Sequence, residues 1–412
     1  MTSQTLFYII IAILVISYLA DLIMGYLNAK HFNDPIPETL QDVYNEEEYL
    51  TSQAYKKTKD RFGTYTATFS LLLTVAFFFF DGFAIVDQWA RTFTEHPIGV
   101  AFIFFGAIML ASDILTTPFE YYNTFVIEEK FGFNKMKPVT FFVDKIKGWG
   151  MSIVIGGGLL ALIIWIYEAT QNTFWLYAWG VITLFSVFMN MFYARLIVPI
   201  FNKQAPLEKG ELRSQIETYA SQVGFNLTNI FTIDGSKRST KANAYFSGLG
   251  SEKRITLYDT LINDLEDPEI VAVLAHEVGH YKRKHVITNL LLSVAITGAT
   301  LWLFSLCLAQ PIIAEAVGVS TPSFHVGLVV FGILYTPISA VTGFFMSALS
   351  RKHEYEADNY AAETYEATPL ISSLKKLSKN SLSNLTPHPL YVKLNYSHPT
   401  LLQRVENLKK SL

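Results

Sequence analysis

Seven long apolar stretches constrain the fold of this 412-residue chain more than any other feature of its sequence. A hydrocarbon core about 30 Å thick is crossed by roughly 20 apolar residues in a helix, and each stretch is of that order. The first stretch follows no basic residue and precedes no small-residue cleavage site, which predicts a permanent span rather than a removable signal peptide. The seven predicted spans cover residues 5–27, 64–86, 98–118, 149–168, 174–199, 286–309 and 326–349.

The charge content supports a membrane protein. Only 16% of the residues are charged, whereas soluble chains average about 25%. The net charge is −3, so the chain has no excess of basic residues that would suggest a nucleic-acid partner. Cys307 is the single cysteine, so an internal disulfide is excluded and a cysteine metal site is disfavoured. We therefore expect an integral membrane protein whose surroundings are the lipid bilayer.

Basic residues alternate between the predicted connections. They are concentrated in the loops 28–63 and 117–148, at the end of segment 200–285, and at Arg351 and Lys352 after the last span. The N-terminus and the intervening loops carry at most one basic residue each. Because basic loops are retained in the cytoplasm, this alternation predicts an external N-terminus and a cytoplasmic C-terminus.

The predicted topology divides the chain into four segments. Residues 1–199 contain spans one to five with their loops, and residues 286–349 contain spans six and seven. The cytoplasmic segments 200–285 and 350–412 are each short for an independent domain. Since the hairpin of spans six and seven returns the chain to the same membrane face, we expect both segments to form one cytoplasmic domain.

The strongest local signal is the sequence His-Glu-Val-Gly-His at residues 276–280. Asp267 and Pro268 precede it in the pattern of a helix start, with Asp as N-cap and Pro at the first helical position. On a helix His276 and His280 share a face, so both imidazoles can bind one zinc ion. Glu277 lies about 100° round the helix, where it can take a proton from a water molecule.

A catalytic zinc site needs a third protein ligand and keeps one position for water. The hairpin of the last two spans brings the segment after residue 350 next to the two histidines. There Glu354 and Asp358 lie one helical turn apart, which predicts a third ligand and a carboxylate that orients a ligand histidine. His353 and His285 are rival ligands, and Glu356 is expected to point away to solvent.

The stretch 229–258 has the pattern of short β-strands. A protease can hold an extended peptide by pairing its backbone with an exposed edge strand, and residues 243–246 are the candidate edge. A small sheet that merely braces the zinc helix explains the same pattern. Near the C-terminus, Ser397, His398 and Pro399 have the pattern of a helix start, and spacing alone assigns no role to them.

These motifs together resemble the integral-membrane CAAX prenyl proteases of type 1, which are zinc proteases of the gluzincin type. The resemblance extends over nearly the whole chain and includes the seven predicted spans. Its local motifs are residues 127–134, 234–239, 243–245, 276–280, 354–358 and 397–399, together with Arg404.

The resemblance implies roles that the residues alone do not establish. Glu354 would complete a site for one zinc ion per chain, and Asn243, Ala244 and Tyr245 would lie along the bound peptide. His398 and Arg404 would bind substrate or stabilise the oxyanion. The fold implied is all-α in the membrane, with seven helices around a water-filled chamber and a cytoplasmic α+β zinc protease domain.

We therefore predict a zinc endopeptidase that cleaves near the C-terminus of CAAX-type peptides or proteins, prenylated or not. The compact chain favours a bacterial inner-membrane member, and a eukaryotic one would lie in the endoplasmic reticulum membrane. One alternative is a broad-specificity quality-control protease, although seven spans rather than about four argue against it. Another is a transporter or channel with a structural zinc site, supported only by acids at membrane depth such as Asp21 and Asp113.

Overall fold

The computed structural model describes residues 1–225, 227, 229–247 and 254–412. The described chain is mostly helical and contains one four-stranded sheet. Its N-terminal helices are α1 (Ser3–Ala29), α2 (Glu46–Phe79), α3 (Gly82–Arg91), α4 (Pro97–Tyr122), α5 (Pro138–Met151), α6 (Gly158–Thr170), α7 (Phe174–Leu196) and α8 (Val198–Phe201). The remaining helices are α9 (Glu211–Gln222), α10 (Asp259–Asp264), α11 (Asp267–Lys282), α12 (His285–Leu308), α13 (Ile312–Glu315), α14 (Phe324–Leu334), α15 (Thr336–Thr364), α16 (Ala367–Asn380), α17 (Pro389–Asn395) and α18 (Leu401–Lys409).

Five helical stretches among the described residues are long and apolar enough to cross a membrane. Only 6–17% of their most apolar windows is buried within the protein, and so much exposed apolar surface requires a hydrocarbon environment. A sixth span arises if α14 and α15, which meet at a bend of 56°, are counted together. The five stretches are Ser3–Ala29, Glu46–Phe79, Pro97–Glu128, Pro138–Phe201 and His285–Leu308.

The stretch Pro138–Phe201 contains two of the predicted spans. It is 64 residues long, about three times the length that a bilayer requires. A short 3₁₀ turn, Gln171–Thr173, interrupts it, and Gln171 has a left-handed φ of 47°. Helices α6 and α7 on either side of this turn pack against each other, so the stretch folds back on itself.

The sheet follows the membrane stretch Pro138–Phe201 in sequence and precedes helix α12. Its strands are β1 (Gln204–Pro206), β2 (Asn229–Ile233), β3 (Ala244–Ser247) and β4 (Arg254–Tyr258), in the order β1-β2-β4-β3. The β2–β4 pair is parallel, and the β1–β2 and β3–β4 pairs are antiparallel. Strand β3 therefore lies at an edge, which agrees with the edge strand expected at residues 243–246.

One hydrophobic core joins segments 200–285 and 350–412 of the chain. Ile255 and Leu257 of the sheet and Leu274 of α11 pack in the same cluster as Leu370 of α16 and Val405 of α18. The two segments therefore share one core, and their assignment to a single cytoplasmic domain stays a prediction.

The first connection, residues 28–63, also joins this core, which the sequence pattern does not reveal. Leu40, Val43 and Tyr44 are buried in the same cluster. The Tyr44 hydroxyl donates a hydrogen bond to the Ser378 carbonyl oxygen at 2.9 Å. Helix α2 then begins at a capping box formed by Asn45 and Glu48, well before its apolar part.

Candidate active site

Helix α11 carries the His-Glu-Val-Gly-His sequence and packs along α15. Its N-cap is Glu266, which forms a capping box with Glu269, so the predicted Asp267 N-cap is wrong by one residue. The close approach of the two helices depends on Gly279. A Cβ atom at this position would lie 3.1 Å from the Ala357 backbone, closer than ordinary van der Waals contact.

Three side chains that could ligate a metal converge between α11 and α15. The Nε2 atoms of His276 and His280 lie 3.1 Å apart. The two carboxylate oxygens of Glu354 lie 3.5 Å from His276 Nε2 and 3.4 Å from His280 Nε2. All three ligand atoms lie within 4.8 Å of one another, so they can share one cation. The structure thus brings the three predicted ligands together.

Asp358 orients the first of these histidines. Its side chain is fully buried, and its Oδ1 atom accepts a hydrogen bond from His276 Nδ1 at 2.8 Å. With the ring proton on Nδ1, the lone pair of Nε2 faces Glu354 and His280. The contact is one that a ligand-orienting carboxylate would make, and the role of Asp358 stays a prediction.

Arg404 reaches Asp358 from helix α18. Its Nε and Nη2 atoms donate to the two Asp358 oxygens at 2.8 and 2.5 Å. Its Nη1 atom lies 3.4 Å from a Glu354 oxygen. The geometry therefore gives Arg404 a role in holding the ligand-orienting carboxylate, whereas contact with substrate stays a prediction.

Burial and hydrogen bonding shift the pKa of His276 in opposite directions. Burial alone would lower its pKa, but the hydrogen bonds to Asp358 and Glu354 raise the pKa to about 9. The two carboxylates thus create a negative potential at the imidazole, which favours a positive charge there. A divalent cation at the ligand atoms would satisfy the same potential.

Glu277 and His398 are both accessible beside the ligands. Glu277 follows the ligand His276 in sequence and is half-buried. In the part of the chain that the structure describes, its carboxylate forms no hydrogen bond or ion pair. The His398 side chain is 61% exposed, and its Nε2 atom lies 3.3 Å from Glu354 Oε1. His398 is therefore open to solvent beside the cluster, and Glu277 is partly so.

Comparison with known families divides the chain into two matched regions. Residues 25–203 match the model described as CAAX prenyl protease N-terminal, five membrane helices. Residues 206–412 match the model of peptidase family M48. The chain belongs to peptidase family M48. It is therefore a membrane metalloprotease, and a metal cofactor is expected at the His276, His280 and Glu354 cluster.

Relatives of this M48 protease match over most of their length. It is 34% identical to CAAX prenyl protease 1 of Saccharomyces cerevisiae, a match that covers 90% of this chain and 88% of the relative. It is 35% identical to a Dictyostelium discoideum homologue, covering 92% and 90% of the two chains. The crystal structure of S. mikatae Ste24p superposes with a TM-score of 0.92 at 32% identity, over 98% and 99% of the two chains.

A second series of hydrogen bonds holds His280, the other candidate ligand histidine of the M48 protease. His280 Nδ1 lies 3.0 Å from His285 Nδ1, and His285 Nε2 lies 2.8 Å from Glu356 Oε2. His353 stacks on His285 with ring centroids 3.9 Å apart. Neither rival histidine belongs to the ligand cluster, and Glu356 contacts His285 instead of pointing only to solvent.

The protons in the hydrogen bonds that link His280, His285 and Glu356 can be assigned by starting from the carboxylate. A carboxylate only accepts, so His285 Nε2 donates to Glu356 and His285 Nδ1 accepts from His280 Nδ1. This leaves the Nε2 lone pair of His280 directed at the ligand cluster. The sequence pattern does not reveal this hydrogen-bonded relay through His285, because a single histidine has no spacing pattern that distinguishes it.

A Glu356→Gln variant is expected to lower metal affinity about 10-fold, as outer hydrogen-bond partners of ligand histidines typically do. The amide weakens the acceptor that fixes the His285 proton. A competitive chelator titration measures the affinity, with Glu363→Gln as the control because that side chain is 63% exposed on the same helix. An unchanged affinity with a lowered Tm of the metal-free protein would show that Glu356 is merely structural.

The edge strand lies next to this site. Strand β3 contacts both α11 and the membrane helix α7. Asn243 precedes the strand, and its carbonyl oxygen accepts a hydrogen bond from Tyr258 N at 3.1 Å. Ala244 and Tyr245 pair with Leu257 and Thr256 of β4. One edge of β3 thus pairs with β4. Its other edge pairs with none of the described strands and could accept an added strand.

Proposed function

We propose that this M48 protease is a zinc endopeptidase that cuts near the C-terminus of CAAX-type protein substrates. One observation carries the proposal: the ligand atoms of His276, His280 and Glu354 converge within 4.8 Å, next in sequence to the unpaired Glu277 carboxylate. The S. cerevisiae and D. discoideum relatives bear the name CAAX prenyl protease 1. Because the matches extend over most of each chain, they support the same substrate class here.

The donor set fits one zinc ion per chain. Two imidazole nitrogens and one carboxylate oxygen are the ligands of a catalytic zinc that keeps a position open for water. The Glu354 Oε2 atom is buried without a hydrogen bond among the described residues. Its charged neighbours are Arg404 Nη1 at 3.4 Å and His276 Nε2 at 3.5 Å, so it can still accept a shorter bond from a cation. When bound, zinc would polarise the scissile carbonyl and lower the pKa of water.

The side chains of the site would move the protons. Glu277 would accept a proton from the attacking water and pass it to the leaving amine. His398 would donate a hydrogen bond to the developing oxyanion. Its Nδ1 atom lies 2.9 Å from the Ser397 hydroxyl, and a hydroxyl that donates to Nδ1 leaves the ring proton on Nε2.

The substrate would bind as an additional strand. Backbone groups at Asn243, Ala244 and Tyr245 would pair with an extended peptide at the free edge of β3. This mode places main-chain hydrogen bonds next to α11 without requiring one particular side-chain sequence. Arg404 would act on the substrate indirectly, by holding Asp358 and through it His276.

We infer seven spans with the N-terminus outside and the C-terminus in the cytoplasm. Counting α6 and α7 as separate spans, and α14 with α15 as one, gives this number, and the basic loops give the orientation. A cysteine introduced at Gln171 should then react with an impermeant maleimide from outside, and one at Lys130 should not. The reverse pattern would refute the orientation. Location in a bacterial inner membrane stays a prediction.

A cleavage assay with farnesylated and unfarnesylated C-terminal CAAX peptides tests the function, with the cut bonds identified by mass spectrometry. We expect cleavage within the last few residues, loss of activity with a chelator, and recovery when Zn²⁺ is restored. Cuts scattered through unrelated unfolded proteins at equal rates would favour the broad-specificity protease. Zinc binding without cleavage of any peptide would overturn the enzymatic proposal and favour a transport or structural role.

A further inference from the structure

A cavity of about 710 Å³ lies between α2 and the end of α4, outside the metal cluster. Its α2 wall is formed by residues one helical turn apart, which places them on one face of that helix. The residues that matter here are Lys57, Arg61, Phe62 and Tyr65 from α2, with Phe119 and Tyr122 from α4. The volume lies within the range of small-molecule and lipid sites.

The cavity opens toward the hydrocarbon region. The α2 face that contains Tyr65 continues into Leu72 and Phe79, whose side chains are 63% and 57% exposed. On α4, the face that leads to Phe119 contains Leu115, which is 41% exposed, and Ile114, which is 60% exposed. Large apolar side chains so exposed in a membrane-spanning helix contact lipid tails. The apolar end of the cavity is therefore continuous with the lipid-facing surface.

The other end of the cavity is cationic. Lys57 and Arg61 are four residues apart on α2, and both are exposed. Lys57 Nζ donates to Asn33 Oδ1 at 2.6 Å, whereas Arg61 forms no hydrogen bond or ion pair with any residue that the structure describes. The described residues that line the cavity include no carboxylate. Neither positive charge at this end is therefore paired with a carboxylate of the described residues.

Aromatic rings separate the cationic end from the apolar end. Phe62 stacks on Tyr122 with ring centroids 5.3 Å apart. Tyrosine and tryptophan are typical of the boundary between lipid headgroups and tails, because one end of the ring is apolar and the other is polar. The order along the cavity is thus cation, aromatic ring and exposed aliphatic side chain, which is the order of a phospholipid from phosphate to acyl chain.

We propose that this cavity binds an anionic phospholipid of the surrounding membrane. The phosphate lies between Lys57 and Arg61, and the acyl chains follow Tyr65 and Phe119 into the bilayer. Basic pockets between membrane helices on the cytoplasmic side are suited to such headgroups. The inference is independent of the proteolytic function, since it uses none of the metal-cluster residues.

Native mass spectrometry of the full-length detergent-purified protein tests the inference. The probes are phosphatidylglycerol and phosphatidylcholine with identical acyl chains, and glycerol 3-phosphate as a headgroup without chains. The variant is Lys57→Gln with Arg61→Gln. The control is Lys130→Gln with Lys137→Gln, because both lysines are exposed and outside the cavity lining.

The wild type and the control are expected to retain phosphatidylglycerol in preference to phosphatidylcholine and to bind no glycerol 3-phosphate. The cavity variant is expected to lose about 25-fold in apparent affinity, about five-fold for each cation. An equal loss of affinity in the control variant would show that the effect comes from net charge alone, and it would overturn the proposal. Equal retention of both lipids would do the same, as would displacement of bound lipid only by a farnesylated peptide, which would assign the cavity to a prenyl chain.

Discussion

A Glu277→Gln variant is expected to bind one zinc ion per chain and to lose about 1,000-fold in kcat, because a positioned general base contributes on the order of that factor. The amide keeps the size of the side chain and cannot accept the proton of the attacking water. Peptide cleavage measures kcat, and elemental analysis of the same preparation measures zinc.

The structure indicates that this substitution changes the proposed base without disturbing other contacts of the described residues. Glu277 lies outside the ligand cluster, and its carboxylate has no hydrogen-bond partner among the described residues, so its loss leaves no buried group unpaired. Glu217→Gln is the matched control, because Glu217 is 54% exposed on α9 and pairs with Arg213. Full activity of the Glu277 variant would rule out Glu277 as the base, and loss of zinc would assign it to metal binding instead.

The ligand cluster could be predicted because it depends on two simple regularities. Helical spacing places His276 and His280 on one face of α11. The return of the chain after two spans places Glu354 and Asp358 opposite them. Both regularities are visible in a single sequence, and the side-chain contacts in the structure agree with them.

The relay through His285 could not be predicted in this way. It depends on Lys284, which has a left-handed φ of 61° and turns the chain sharply between α11 and α12. That conformation usually signals Gly or Asn, and a lysine gives no such signal. The turn brings His285 back against His280, and only then can Glu356, which is directed away from the ligand face, contact His285.

Helix ends could not be predicted from hydropathy, since the predicted spans 64–86 and 326–349 each run past a helix end, at Phe79 and at Leu334. Hydropathy shows where a helix enters the hydrocarbon region, but capping and packing determine where the helix ends. Helix α15 runs without a break from the predicted seventh span through Glu354 and Asp358 to Thr364. A predicted membrane helix and the helix that carries Glu354 are thus one element.

An Asp358→Ala variant is expected to lower the Tm by about 10 °C, because removal of one partner from a buried ion pair typically costs about 3–5 kcal/mol. Asp358 is fully buried, and it accepts both Arg404 donors and the His276 Nδ1 proton. Its loss leaves a guanidinium with little water to solvate it. Differential scanning fluorimetry of the metal-free protein measures the change in Tm.

The same variant is expected to bind zinc about 10- to 100-fold more weakly, since His276 loses the acceptor that fixes its tautomer. Asp42→Ala is the control for stability, because Asp42 is 65% exposed and pairs with Lys375 at 2.7 Å at the surface. Such an exposed pair contributes at most about 1 kcal/mol. A control loss as large as that of the buried variant would contradict the buried-pair explanation.

The Arg404→Ala variant and the double variant separate the two contributions of Asp358. Arg404 pairs with Asp358 but does not ligate the cluster, so Asp358→Ala in an Arg404→Ala background should cost less stability than in the wild type. Zinc affinity should still fall in that background, because His276 loses its acceptor whether or not the guanidinium is present. Strict additivity of the Tm changes would show that the two side chains contribute independently. An unchanged zinc affinity in Asp358→Ala would mean that packing alone orients His276.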